Sequence, residues 1–119
     1  MTKDKLVIGS DHAGFKLKEI IKSYLKELGY DVKDIGVYND EESADYPVIA
    51  KQAAHLVASD KFSKGMLICG SGIGMSITAN KVKGIRAVVC SDTTSARFSR
   101  MHNNSNMLCL GQRIIGEYL

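Results

Sequence analysis

Cys69 ends an apolar run, Gly65-Met66-Leu67-Ile68, and opens at once into Gly70-Ser71-Gly72-Ile73-Gly74. A short apolar run bounded by glycine reads as a buried strand, and the pattern over residues 75–82 reads as the helix that follows it. The thiol then stands at a strand's carboxyl end facing a helix N-terminus, where backbone N–H groups converge on anions and thiolates are favoured. A reactive thiol beside an anion cradle is suited to catalysis. Two further groups fit the same chemistry. Asp11-His12 follows the first apolar run of the chain, and an imidazole at a helix start can meet a phosphate with help from the helix dipole. Arg113 follows the last run.

The elements that must position these groups alternate along the chain. Residues 6–9 form a short buried strand, and Leu17, Ile20, Ile21, Tyr24, Leu25 and Leu28 then recur at the three-and-four spacing of an amphipathic helix that Gly29 stops. Residues 31–35 alternate polar and apolar, as an edge strand does, before a polar loop at 39–43. Pro47 suits the first turn of a second helix with a stripe of Ile49, Ala50, Ala53, Ala54 and Val57. After the strand that ends at Cys69, a fourth strand is expected at 85–90, a fourth helix from 94 to about 101 and a fifth strand at 107–110. Such alternation implies right-handed crossovers and a parallel sheet covered on both faces, a three-layer α/β/α sandwich. Ligands of such sheets bind at the strands' carboxyl ends. Acid, imidazole, thiol, glycine loop and arginine all fall on that one edge.

Common alternatives fit less well. The loop lacks the third glycine of a dinucleotide fingerprint, because position 77 is Ile, although Asp92 stands about 20 residues on. No glycine precedes a Lys-Ser or Lys-Thr pair, so a Walker loop is absent, and position 75 is Met where a cysteine phosphatase loop wants Arg. Cys90 and Cys109 lie in apolar runs and read as core thiols. His55 reads as a surface group on the second helix. Asp11 could serve as a plain helix cap, and His102-Asn103-Asn104 as a plain helix end.

At 119 residues, 45% of them apolar, the chain is expected to form one domain around a single core. No apolar stretch approaches the ~20 residues needed to span a bilayer, and the N-terminus does not read as a signal peptide, so a cytoplasmic address is expected. Three cysteines, an odd number without C-x-x-C spacing, argue against a disulfide framework or a thiolate zinc site. A net charge of +3 with no long basic run argues against a nucleic-acid partner but suits a small anion.

Six segments, taken in order, resemble the ribose-5-phosphate isomerase B family, which also contains galactose-6-phosphate and allose-6-phosphate isomerases. They are Gly9 to Gly14, Asp45-Tyr46-Pro47, Cys69 to Gly74, Ala79-Asn80-Lys81, Gly84 to Ala87 and His102 to Asn106. The resemblance implies aldose–ketose exchange, D-ribose 5-phosphate with D-ribulose 5-phosphate, without metal or organic cofactor. It assigns Cys69 as the base, Ser71 to proton exchange between the two oxygens, the amides from Gly70 through Gly72 and Ile73 to Gly74 as the oxyanion hole, and His102 to ring opening. Asp11 and Asn103 match sugar-hydroxyl contacts, Tyr46 a pocket wall, and His12 and Arg113 phosphate contacts. Strand order 2-1-3-5-4 and a homodimer, sometimes paired into a tetramer, are also implied. The competing functions are a galactose- or allose-6-phosphate isomerase subunit and a non-catalytic phosphate-binding module.

Geometry adds one expectation of its own. His102 and Asn103 precede the fifth strand and so lie near its amino end, several residues at ~3.3 Å each from Cys69 and Arg113. They are therefore expected to serve the active site of a partner subunit. Members of the resembled family usually continue past Gly116 through a helix and an arginine-bearing arm. Here six residues follow from Ile114, a marginal helix on their own.

Overall fold

A computed structural model describes residues 5–39, 41 and 45–116; residues 1–4, 117–119 and, within and just after the expected 39–43 loop, 40 and 42–44 lie outside the described residues. In chain order the elements are β1 (Lys5–Ser10), α1 (Phe15–Glu27), β2 (Asp31–Asp34), α2 (Tyr46–Ala58), β3 (Lys64–Cys69), α3 (Ile73–Ala79), β4 (Ala87–Val89), α4 (Thr93–Asn103) and β5 (Met107–Gly111). All strand pairs are parallel, in the order β2-β1-β3-β5-β4 expected from the resemblance.

Alternation along the strands divides the core in two. Val7, Leu67, Met107 and Cys109 face α2, whose predicted stripe of Ile49, Ala50, Ala53, Ala54 and Val57 is buried throughout, together with Met75 and Ala79 of α3. Ile8 and Ile68 point to the other face and meet Leu17, with Ile21 and Ile115 packed against them. Burying a side chain of this size contributes ~1.5–3 kcal/mol, so the α2 face, with the larger cluster, carries most of the stability. No helix among the described residues is long and apolar enough to cross a membrane.

Four elements depart from the sequence expectation. α3 runs Ile73–Ala79 rather than 75–82, because the glycine loop turns directly into it and Asn80 ends it. The α1 stripe is wider than the sheet beneath it: Leu17 is buried and Ile21 and Leu25 partly so, whereas Ile20, Tyr24 and Leu28, one ridge further round, remain exposed. β4 is three residues long rather than six. Gly84 has φ +92 and the Ile85 amide bonds back to the Val82 carbonyl, so the chain is still turning where a strand was expected. The Asn80 side chain then brackets Ala87, donating to its carbonyl and accepting from its amide, both at 2.8 Å. α4 is longer than expected, because Asp92 caps it by accepting from the Ser95 amide at 2.6 Å and the helix runs to Asn104 in the left-handed region.

The chain leaves β1 toward β2 on one side, then crosses to β3 on the other. This reversal opens a crevice between the carboxyl ends of β1 and β3, the usual place for a ligand in a doubly wound sheet.

Candidate active site

A cleft of about 560 Å³ occupies that crevice, and Asp11, His12, Tyr46, Cys69, Gly70, Ser71, Gly74 and Arg113 line it with Ala13 and Ile114. Cys69 forms its floor, 6% exposed at the end of β3. Gly72 turns the loop back on the thiol and donates its N–H to Sγ at 3.0 Å. That turn requires φ +81, and a Cβ at position 72 would lie 2.9 Å from the Leu110 carbonyl carbon, so glycine is needed on both counts. The Ser71 Oγ accepts from the Ile73 amide at 3.2 Å. Two amides expected in the oxyanion hole thus hold the protein's own sulfur and hydroxyl.

The walls come from other elements. Asp11 caps the single 3-10 turn His12–Gly14, accepting from the Gly14 amide at 3.0 Å, so the plain capping role and a place in the cleft coexist in one carboxylate. The turn presses on β3 so closely that Gly14 could not carry a side chain. His12 is exposed at the start of that turn. Arg113 follows β5, bonded through its amide to the Gly70 carbonyl at 3.0 Å, and its Nη1 would be 3.4 Å from a Cβ at Gly70. Its guanidinium therefore lies across the thiol loop. Tyr46, first residue of α2, lays its ring against Gly74, where a Cβ would be 2.8 Å from ring carbons.

The other two thiols are set apart by their surroundings. Burial, with Cys69 and Cys90 nearby, pushes the Cys109 thiol up to about 12. Burial also raises that of Cys90, helped by Asp92. Both belong to the core, as the sequence predicted. His55 is exposed near the end of α2.

Residues 6–119 match the family model described as Ribose/Galactose Isomerase. The chain belongs to this family. Among relatives, it is 49% identical over 112 residues to ribose-5-phosphate isomerase B of Escherichia coli (strain K12), covering 94% of this chain and 74% of that one. It is 43% identical to D-erythrulose-4-phosphate isomerase 2 of Mycolicibacterium smegmatis, covering 94% and 75%. The solved ribose-5-phosphate isomerase B of Clostridium thermocellum superposes with a TM-score of 0.94 at 49% identity, covering 97% of this chain and 77% of that one.

In this member of the Ribose/Galactose Isomerase family, one cleft brings together Asp11, His12, Tyr46, Cys69, Gly70, Ser71, Gly74 and Arg113. It does not include His102 and Asn103. These end α4, exposed, with the His102 ring 5.3 Å from that of Phe98, and the chain runs from them through Asn106 into the amino end of β5. Two supporting residues carried no motif. Gln112 accepts the Leu17 amide at 2.9 Å and ties the Arg113 turn to α1. Lys18, one residue from a predicted core position, is fully buried. An apolar periodicity cannot flag a lysine. The clue available was Asp34, opposite in charge and at the end of the predicted edge strand.

Proposed function

We propose that this family member interconverts D-ribose 5-phosphate and D-ribulose 5-phosphate through a cis-enediolate, with Cys69 as the base. The observation that carries this reading is the Gly72 N–H held on Cys69 Sγ at the floor of a cleft rimmed by His12 and Arg113. A thiol that accepts a backbone N–H is prepared to carry negative charge. The Arg113 guanidinium and the His12 imidazole on the rim suit a phosphate.

In the forward direction the thiolate takes the proton from C2 of the open aldose, and the electron pair moves onto O1 to form the enediolate. The thiol then returns the proton to C1, while Ser71 passes the hydroxyl proton from O2 to O1. A positioned base contributes ~10²–10⁴-fold and each good oxyanion donor ~10²–10³-fold. With Gly72 and Ile73 engaged, the oxyanion falls to the amides of Gly70, Ser71 and Gly74. Asp11 takes a sugar hydroxyl, Tyr46 closes the wall, and His12 and Arg113 hold the phosphate.

The same reading gives a homodimer, or a pair of dimers, in the cytoplasm, serving pentose phosphate metabolism. His102 of each subunit opens the sugar ring in its partner's cleft, and Asn103 contacts a hydroxyl there. Support for this sharing is the position of both residues outside their own cleft.

The deciding experiment compares the chain with Cys69→Ala on ribose 5-phosphate, erythrulose 4-phosphate and galactose 6-phosphate. The five-carbon substrate should give the highest kcat/KM, and Cys69→Ala should lose at least ~10²-fold in kcat with an unchanged circular dichroism spectrum. Near-normal turnover by Cys69→Ala would remove the proposed base. Binding without turnover would favour a phosphate-binding module, and a preference for six carbons a galactose-6-phosphate isomerase.

A further inference from the structure

Helix α1 sends one charged side chain fully into the protein. Lys18 Nζ donates to the two carboxylate oxygens of Asp34 at 2.8 and 2.9 Å and to the Val37 carbonyl. The rings of Phe15 and Tyr38 stand 5.2 and 5.6 Å from it. Asp34 also accepts from the Gly36 amide at 2.8 Å and from Lys22 Nζ at 2.8 Å. The segment just past β2 is thereby tied down at the Gly36 amide and at the Val37 carbonyl.

That segment is the neighbour of the cleft's first corner. Ser10 N–H donates to the Gly36 carbonyl at 2.8 Å, and Val37 N–H donates back to the Ser10 carbonyl at 2.9 Å. The next residue, Asp11, donates its amide to the Ile68 carbonyl of β3 at 3.3 Å. The end of β1 is therefore gripped by β3 on one side and by the clamped segment on the other. Asp11 and His12 follow directly from it.

We infer that Lys18, acting with Asp34, is a positioning residue for the Asp11-His12 corner of the cleft. Lys18 does not line the cleft and takes no part in proton transfer. The inference rests on the proposed reading in which that corner holds substrate. A buried ion pair that serves stability alone can be replaced by packed apolar side chains at little cost, whereas removing one partner leaves an uncompensated charge. The positioning role cannot be restored in that way, because apolar side chains offer nothing to the Gly36 amide or the Val37 carbonyl.

The test uses Lys18→Met and the double variant Lys18→Met/Asp34→Leu. Stability is read by urea denaturation, kinetics as kcat and KM separately, and the corner itself by NMR titration of the His12 imidazole with inorganic phosphate. The double variant should regain most of the stability lost by Lys18→Met. It should nevertheless keep a KM at least five-fold above that of the unmodified chain, with kcat within two-fold, and a phosphate Kd at His12 raised to a similar degree. A folded double variant with unmodified KM and phosphate Kd overturns the inference and leaves Lys18 a stabilising residue. If the unmodified chain binds phosphate at His12 but does not turn over ribose 5-phosphate, the isomerase reading fails and the phosphate titration alone decides the positioning role. If it does neither, both fall.

Discussion

A methyl group at Gly14 would collide with the backbone of the central strand. A Cβ built there lies 2.4 Å from the Ile68 carbonyl oxygen, 2.5 Å from its carbon and 2.7 Å from Ile68 Cγ2, where ordinary contact begins at 3.4 Å. The 3-10 turn would have to retreat by about 1 Å, since β3 is held by β1 and β5 and cannot yield. Gly14 itself has φ −105 and ψ 4, so the collision rather than the backbone angles decides the outcome. Overpacking of this kind costs ~1–3 kcal/mol, occasionally more, and the entropy recovered on replacing glycine is ~0.5–1 kcal/mol. Gly14→Ala should therefore lose about 1–2 kcal/mol in urea denaturation with an unchanged m value, and roughly 4–8 °C in Tm. Because the Gly14 amide donates to Asp11, a retreating turn also moves Asp11 and His12, and KM for the sugar phosphate should rise. Gly74→Ala is the control. There the atoms nearest the added Cβ are the outer atoms of the Tyr46 ring, a side chain 40% exposed and able to swing, within a helix that prefers alanine. That variant should be as stable as the unmodified chain or more so, with a raised KM as the ring leaves the cleft wall. Gly14→Ala within 0.5 kcal/mol of the unmodified chain, or both variants equally destabilised, would refute the reasoning.

Burial raises the Asp34 carboxyl, but hydrogen bonds from Lys18, Lys22 and the Gly36 amide outweigh it and hold the group below the usual carboxylate range. Its contribution is thus complete above the unfolded carboxylate value of about 3.9 and lost as pH falls through the lower folded value. Asp34→Asn should flatten the acid limb of the stability–pH curve from urea melts; an unchanged slope counts against the ion pair. Iodoacetamide at pH 8 should modify Cys69 first, and ribose 5-phosphate should protect it, because Cys90 and Cys109 are held protonated by burial; comparable labelling of Cys109, followed by peptide mass spectrometry, would contradict the core assignment. Mixed Cys69→Ala and His102→Ala chains should recover activity through hybrid dimers that contain one intact cleft. No recovery after confirmed subunit exchange argues against shared sites.

The sheet was legible because its signals are local. Strand runs, the α2 stripe and the glycine loop each obey a short period, and right-handed crossovers leave few ways to connect them. Most of the cleft was legible for the same reason, since Asp11, His12, Cys69, Gly70, Ser71 and Arg113 lie at or just past a strand's carboxyl end, whereas Tyr46, at the start of α2, was placed only by the resemblance. What escaped was set by contacts between distant segments. Nothing near residue 18 in sequence says that Asp34 and the Val37 carbonyl will meet its ammonium. At residue 85 the one local cue was Gly84, whose positive φ carries the turn that delays β4, but nothing there says that the Asn80 side chain will bracket Ala87. The exposed ridge of Ile20, Tyr24 and Leu28 shows the converse, a periodicity that promised more burial than the adjoining face supplies.

The Asn80 bracket around Ala87 has a consequence for how copies of this chain can meet. Outermost strands offer unpaired amides and carbonyls on which another chain can grow by strand addition. On the β4 side the first such pair is already taken by a side-chain amide, and the strand is only three residues long. On the opposite margin β2 is four residues long and presents Asp31 and Lys33, charges that discourage pairing. Both margins of the sheet are thus poorly suited to strand addition, without the sheet forming a barrel. In the proposed homodimer, contact between copies would then run through helix surfaces and loops rather than through a shared sheet.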